Sequence, residues 1–281
     1  MTRTPRQFAK YGSSGTERGA AFVKLASSNS KTVVRHLATR APLLVQRALY
    51  PDGEHPGMAH LYLMTSSGGI LQGDRFEIAV DAGEHTMAHI TTQAATKIYR
   101  MNNGYASQAV TITAQGGSYI EFLPYQLIPF KSSRFYQDVR INVSTDSTVV
   151  YSETLSAGRV ASGEKFDFDV CFLRTTAYDL GTKVLFSDVC NIEPQGTQFE
   201  QLFGNKTIWS TTYIVTPNNH KRIDQEITDS ITSLSMLAGC STLPHDSGLI
   251  VRVLDDSIDK VFKLNEAIVQ RVRRHALRSS L

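Results

Sequence analysis

Cysteine, tryptophan, net charge and long apolar runs are all scarce in this chain. Its 281 residues include three cysteines, one tryptophan and a formal net charge of +3. Cys171, Cys190 and Cys240 are odd in number and widely spaced, which excludes a disulfide framework and a CxxC metal clip. The basic residues are scattered, apart from "QRVRRHALR" near the end, so a nucleic-acid partner is not expected. No apolar run approaches the roughly 18 to 20 residues that span a bilayer, so a membrane partner is not expected either. The amino terminus, "MTRTPRQFAKYGSSGTERGA", lacks the apolar stretch of a secretory signal. A cytoplasmic protein is the expectation.

Strand periodicity dominates what is present. In "RFEIAVD", Phe76, Ile78 and Val80 alternate with Arg75, Glu77 and Asp81. The same period joins Val110 to Ile112, and Val139 to Ile141 and Val143. It aligns Phe166, Phe168, Val170 and Phe172, then Val184 and Phe186, then Leu249, Val251 and Val253. Turn signals such as "DAGE", "NNG", "QGG" and "PQG" separate these runs. Short strands at spacings of roughly 8 to 15 residues predict a mainly β fold, antiparallel or stacked, either β-helix-like or two-layered.

Helical periodicity comes late. Ile223, Ile227, Ile231, Leu234 and Leu237 form a stripe that predicts a helix over about 223–239, ended by Gly239. A second helix is predicted over about 257–277, with Asp256 or Ser257 as N-cap. Its last turn, with Arg271, Arg273, Arg274 and His275, reads as a solvated basic end. Residues 1–281 form a single domain in this reading, a strand-rich body over about 20–222 followed by the helices.

The polar residues of interest gather in a few stretches. "GGILQGDR" spaces Gly68 and Gly73 as a phosphate loop would, but puts Asp74 where that loop needs lysine. Its glycines are expected to shape a turn or a close backbone approach. "TTQAATKIYR" offers Thr91, Thr92, Gln93 and Lys97 without the elbow and His/Asp pair of a threonine nucleophile, so a polar strand face is expected. His85 and His89 would lie roughly 13 Å apart along a strand, too far to share a metal ion. Asp74, Glu153 and Glu164 stand beside glycines and arginines, the last two in "SETLSAGRVASGEKF" with Arg159 and Gly163. Three roles are open to these acids: structural ion pairs, weak oxygen ligands on a cation path, or a general acid and base acting on a sugar.

Together these motifs resemble the urease accessory protein D family. "GGILQGDRFEIAVDAGEHTMAHITTQAATKIYR" is similar to the family's GG-x-x-x-GD segment, strand, turn and TTQAATK-x-YR, which ends here in Tyr99 and Arg100. "YIEFLPYQLIPFKSSRFYQ" looks like its LE-x-LP-x-x-x-IPF, and "LSAGRVASGEKF" like its GR-x-A-x-GE. The chain departs at Ser66 and Ser67, where proline usually precedes the glycines, and at Phe122, while keeping the acid Glu121.

The resemblance implies a non-enzymatic scaffold for nickel delivery to apo-urease. It implies urease as one partner and accessory protein F as another, with the GTPase accessory protein G reached through F. It also implies a β-rich fold with no tightly bound cofactor, and nickel(II) in transit through an internal tunnel. Asp74, Glu153 and Glu164 are then the candidate metal path. Gly68, Gly69, Gly73, Arg75, Thr91, Thr92, Gln93, Lys97, Tyr99, Arg100, Arg159 and Gly163 are the structural motif residues, Lys97 and Arg159 serving as counter-charges. An exposed apolar docking face is expected of such a scaffold. Two alternatives stay open. A carbohydrate-active enzyme needs two of the three carboxyls roughly 5 to 10 Å apart over an open groove. An interaction module needs them only as structural pairs.

Overall fold

Alternation along the chain becomes alternation of burial. The computed structural model describes residues 4–11, 18–195, 203–217 and 220–277. The strands begin with β1 (Arg18–Ser28), β2 (Lys31–Arg40), β3 (Leu43–Val45), β4 (Ala59–Thr65), β5 (Arg75–Ala82) and β6 (Met87–Thr92). They continue with β7 (Thr96–Ile98), β8 (Ala106–Ala114), β9 (Tyr119–Phe122), β10 (Leu127–Pro129), β11 (Arg134–Val143) and β12 (Thr148–Ser156). The last are β13 (Val170–Asp179), β14 (Val184–Ile192), β15 (Ile208–Val215), β16 (Leu237–Thr242) and β17 (Gly248–Asp255). In β5, Phe76, Ile78, Val80 and Ala82 are buried while Glu77 is exposed.

One sheet has the order β14-β13-β11-β8-β5-β1-β2, and the other β16-β17-β15-β12-β9-β6-β4-β3, with β10 joined to β12 and to β7. Between β4 and β13 the chain passes back and forth between them. Thus β4, β6, β9 and β12 are parallel neighbours in one sheet, and β5, β8, β11 and β13 in the other. Each parallel connection runs through the opposite sheet, so the crossover needs no helix. The body is therefore a stacked, solenoid-like coil flattened into two layers. Antiparallel strands finish it: β2 on β1, β14 on β13, β3 on β4, and β15, β17 and β16 beyond β12.

Between the layers pack Val23, Leu61, Phe76, Ile90, Ile112, Phe135, Ile141 and Tyr151. A second core lies on the outer side of β12, β15 and β17, under α1 (His220–Ser233) and α2 (Ile258–Ala276). Ile223, Ile227 and Ile231 of α1, with Val261, Leu264, Ile268 and Val272 of α2, pack on Val150, Ile214, Leu249 and Val251. Each such side chain contributes about 1.5–3 kcal/mol by leaving water. Covered on both faces, β12 is buried from Thr148 to Leu155. The Ser257 hydroxyl caps α2 by accepting from the Lys260 N–H at 3.4 Å. No helix among the described residues is long and apolar enough to cross a membrane.

Local expectations are corrected in places. The first helix ends at Ser233, because Ser235 takes a left-handed φ of 51° and the Leu234 and Met236 N–H groups turn back onto Ser230 and Ile231. Leu237 and Gly239 belong to β16, whose backbone groups bond to β17, and Leu237 is 61% exposed. Phe166 also has a left-handed φ, 57°, and β13 starts only at Val170. A register shift opposite Ala177 and Tyr178 leaves Val184 exposed and Phe186 buried. Nor is the last turn of α2 merely solvated: Arg273 bonds Glu121 and Asp52, while Arg274 and His275 bond Glu226. The "PQG" turn signal lies partly outside the described residues.

Candidate functional site

The motifs separated in sequence meet at one end of the sandwich. Ile70 forms a parallel bridge with Ile98: its N–H donates to the Lys97 carbonyl at 2.8 Å, and the Ile70 carbonyl accepts the Tyr99 N–H at 2.9 Å. Gly69 permits that approach, since a Cβ there would lie 2.5 Å from the Lys97 oxygen. Gly68 faces the Tyr99 hydroxyl, which donates to the Gly68 carbonyl at 3.3 Å. On the other side, β7 pairs in parallel with β10, matching Lys97 to Ile128. The Phe130 ring then meets Tyr99 edge-on at 5.0 Å and carries the Arg159 guanidinium 4.3 Å from its centroid.

Arg159 makes a two-pronged pair with Glu164, which also accepts the Lys131 N–H at 3.2 Å. The arginine, more than the backbone bond, holds the Glu164 carboxyl below its ordinary range. Gly163, at φ 79°, closes the short turn between the two partners. Asp74 is buried; its carboxylate accepts the Leu71 N–H at 2.8 Å, tying off the turn in which Gly73 has φ 87°. Arg75 donates to the Asp74 and Tyr105 carbonyls and lies over the Tyr105 ring. Thr91 donates to Leu123 and Thr92 to Ala94, while Gln93 is exposed and bonds Leu63 through its N–H. Arg100 is exposed.

Beneath this cluster a cavity of about 290 Å³ runs between the sheets. Ser67, Gly68, Gln93 and Lys97 border it at the surface, and Leu63, Ile78 and Phe122 are among its walls. Its buried lining includes Glu153, only 3% exposed. Tyr151 donates to Glu153 Oε2 at 3.2 Å, and the Tyr213 hydroxyl stands 3.4 Å from Oε1. Gln137 donates to the Tyr151 oxygen and receives from Gln108, completing a polar thread through the interior. Burial above all, with Asp188 nearby, pushes the Glu153 carboxyl up to about 7 against the opposing hydrogen bonds.

The three acids singled out from the sequence thus have separate surroundings. Asp74 and Glu164 fix loops outside the cavity lining, and Glu153 alone of the three borders it. They do not face each other over an open groove as a glycosidase pair would. Among the described residues, no three His, Cys, Asp or Glu side chains are placed to hold one metal ion. Sequence reasoning missed the seat of α2. There, fully buried Glu121 accepts from Arg273 Nε at 2.6 Å and Nη2 at 2.8 Å, and its Oε2 lies 2.6 Å from His89 Nδ1. An acid among apolar neighbours in "YIEFLP" signals that some cation must reach it, but nothing in the sequence points to Arg273.

The family profile described as UreD urease accessory protein matches residues 17–280. The chain belongs to this family. It is 36% identical over 255 residues to the urease accessory protein UreD of Cenarchaeum symbiosum, covering 89% of this chain and 90% of that protein. It is 39% identical over 246 residues to UreD 2 of Streptomyces griseus, covering 84% and 82%. UreD of Photorhabdus laumondii is 35% identical over 235 residues, covering 82% and 73%. The UreD assignment gives the chain an accessory, non-catalytic role in urease maturation. The clustered motifs pair along one side of the cavity and border it.

Proposed function

We propose that this UreD-family chain is a scaffold that binds apo-urease and accessory protein F, and through F the GTPase G, and that it conducts nickel(II) toward the urease active site. The observation that carries the conduction step is the cavity from the Gly68–Lys97 mouth to Glu153. A conduit must attract a divalent cation and then release it. Clustered imidazoles and thiolates would retain nickel, whereas separate oxygen donors along an apolar wall bind it weakly. Glu153 suits that task because its carboxyl titrates near neutrality, so a proton competes with the metal for the same oxygens. Asp74 and Glu164 serve the conduit indirectly, by holding the loops that shape its mouth.

Exposed Val184, Val189 and Leu237 at the β14 and β16 edge suit the docking of a protein partner. Three free thiols fit a reducing compartment, so the cytoplasm is the proposed site of action. The test is urease activation in a host that carries the urease subunits and accessory proteins E, F and G but lacks its own D-type protein. Nickel-loaded urease only when this chain is supplied supports the reading. Unloaded urease, despite co-purification of the chain with F, reduces it to an interaction module.

A further inference from the structure

Glu153 lines the cavity, and the polar thread continues beyond it. Beyond it the Tyr213 hydroxyl lies 2.7 Å from Asp188 Oδ2, and Arg252 Nη2 donates to both Asp188 oxygens at 2.7 and 2.6 Å. Asp188 is on β14, an end strand of one sheet, and Arg252 is on β17, next to the end strand of the other. Their bond therefore spans the open edge of the sandwich, on the side away from β2 and β3. Inside the bond, the Tyr213 ring is stacked between Tyr151 at 5.9 Å and Phe186 at 5.6 Å, filling the space between Glu153 and the edge. Outside it, Arg252 is half-exposed and borders a hollow of about 260 Å³.

We infer that Tyr213, Asp188 and Arg252 form an inner gate, through which the divalent cation leaves Glu153 and emerges at the β14–β17 edge. The inference rests on the conduit reading above and adds its second opening. Asp188 is the next carboxylate along the thread, one tyrosine hydroxyl away from Glu153. While Arg252 holds it, its charge is neutralised and a dication gains little by approaching. Release of Arg252 to the outside leaves a free carboxylate facing inward. The Tyr213 hydroxyl has one proton to donate, so it can serve Asp188 or Glu153 but not both. Cys190, two residues from Asp188 on the same strand face and packed against the core between the sheets, is a native reporter of the closed state.

The experiment uses the assembled complex with F and G, in a Cys240→Ser background. Cys190 is labelled with a cationic methanethiosulfonate and with an anionic one of similar size, and read by peptide mass. Arg252→Gln should accelerate cationic labelling roughly tenfold, the scale of a lost charge-assisted hydrogen bond. The anionic reagent should stay slow, and Arg252→Lys should stay near the parent. Asp188→Asn should slow nickel transfer to apo-urease roughly tenfold with complex formation intact, by the same scale. Equal acceleration by both reagents would mean that the edge has merely loosened, and would overturn the gate. Unchanged labelling in Arg252→Gln and normal transfer in Asp188→Asn, alongside slowed transfer in Glu153→Gln, would overturn the gate and leave the conduit. Normal transfer in Glu153→Gln as well would overturn both.

Discussion

Glutamine in place of Glu121 removes the charge on which the C-terminal helix is seated. The Glu121 side chain is fully buried and takes two hydrogen bonds from Arg273, which also bonds Asp52 at 2.9 Å. Burial alone would raise its pKa, yet the bonds from Arg273 and His89 and their charges bring it from 4.5 down to about 2. That fall corresponds to about 3 kcal/mol of folding stability at neutral pH. Because the folded pKa is the lower one, the contribution is complete above about 4.5 and disappears as pH falls toward 2. Glu121→Gln should therefore cost about 3–5 kcal/mol at pH 7, leaving the partly buried Arg273 with one acid fewer. Urea unfolding of parent and variant between pH 7 and pH 3 reads this directly, and the gap should narrow through the acid range. A paired Glu121→Leu, Arg273→Met change should recover most of the loss. Equal stability at pH 7, or a gap untouched by acid, would refute the electrostatic seat.

Glu153 should behave in the opposite sense. Its folded pKa of about 7 lies above 4.5, so stability is lost as pH rises between those values; Glu153→Gln should abolish that slope and gain up to about 3 kcal/mol at pH 8 in urea melts. Gly69→Ala should destabilise by about 1–3 kcal/mol through the Lys97 carbonyl clash, whereas Gly53→Ala, with open space at its Cβ, should leave the melting temperature unchanged. Arg159→Met should let the Glu164 carboxyl titrate at higher pH in a carbon-13 NMR titration, since Arg159 is the main cause of its low pKa.

The reach of the sequence can be judged from particular residues. Alternation in β5 and β17 was readable because one face meets the core along the whole strand. The cap of α2 was readable because Ser257 acts on Lys260, only three residues away. The end of α1 was not, since Ser235 turns left-handed without a glycine and Leu237 keeps the helical spacing while lying in a strand. The parallel pairing was also hidden, because each strand's neighbour is separated from it by a strand of the other sheet. The motif resemblance grouped Asp74, Glu153 and Glu164, which the fold separates. Gln137, Tyr213 and Asp188 gave no sign of themselves. Their hydrogen bonds join β11 to β12 and β14 to β15 across the sandwich, pairings that exist only once the two layers are stacked, and β15 to its sheet neighbour β12.

The conduit claim is tested most directly by the nickel content of urease recovered from the D-deficient host supplied with the parent chain, with Glu153→Gln, or with neither. Equal co-purification of parent and variant with F would first be established. The account predicts full loading with the parent, none without the chain, and slow, incomplete loading with Glu153→Gln. Full loading by Glu153→Gln at the parent's rate would contradict it, and would leave the chain a scaffold through whose interior no nickel passes.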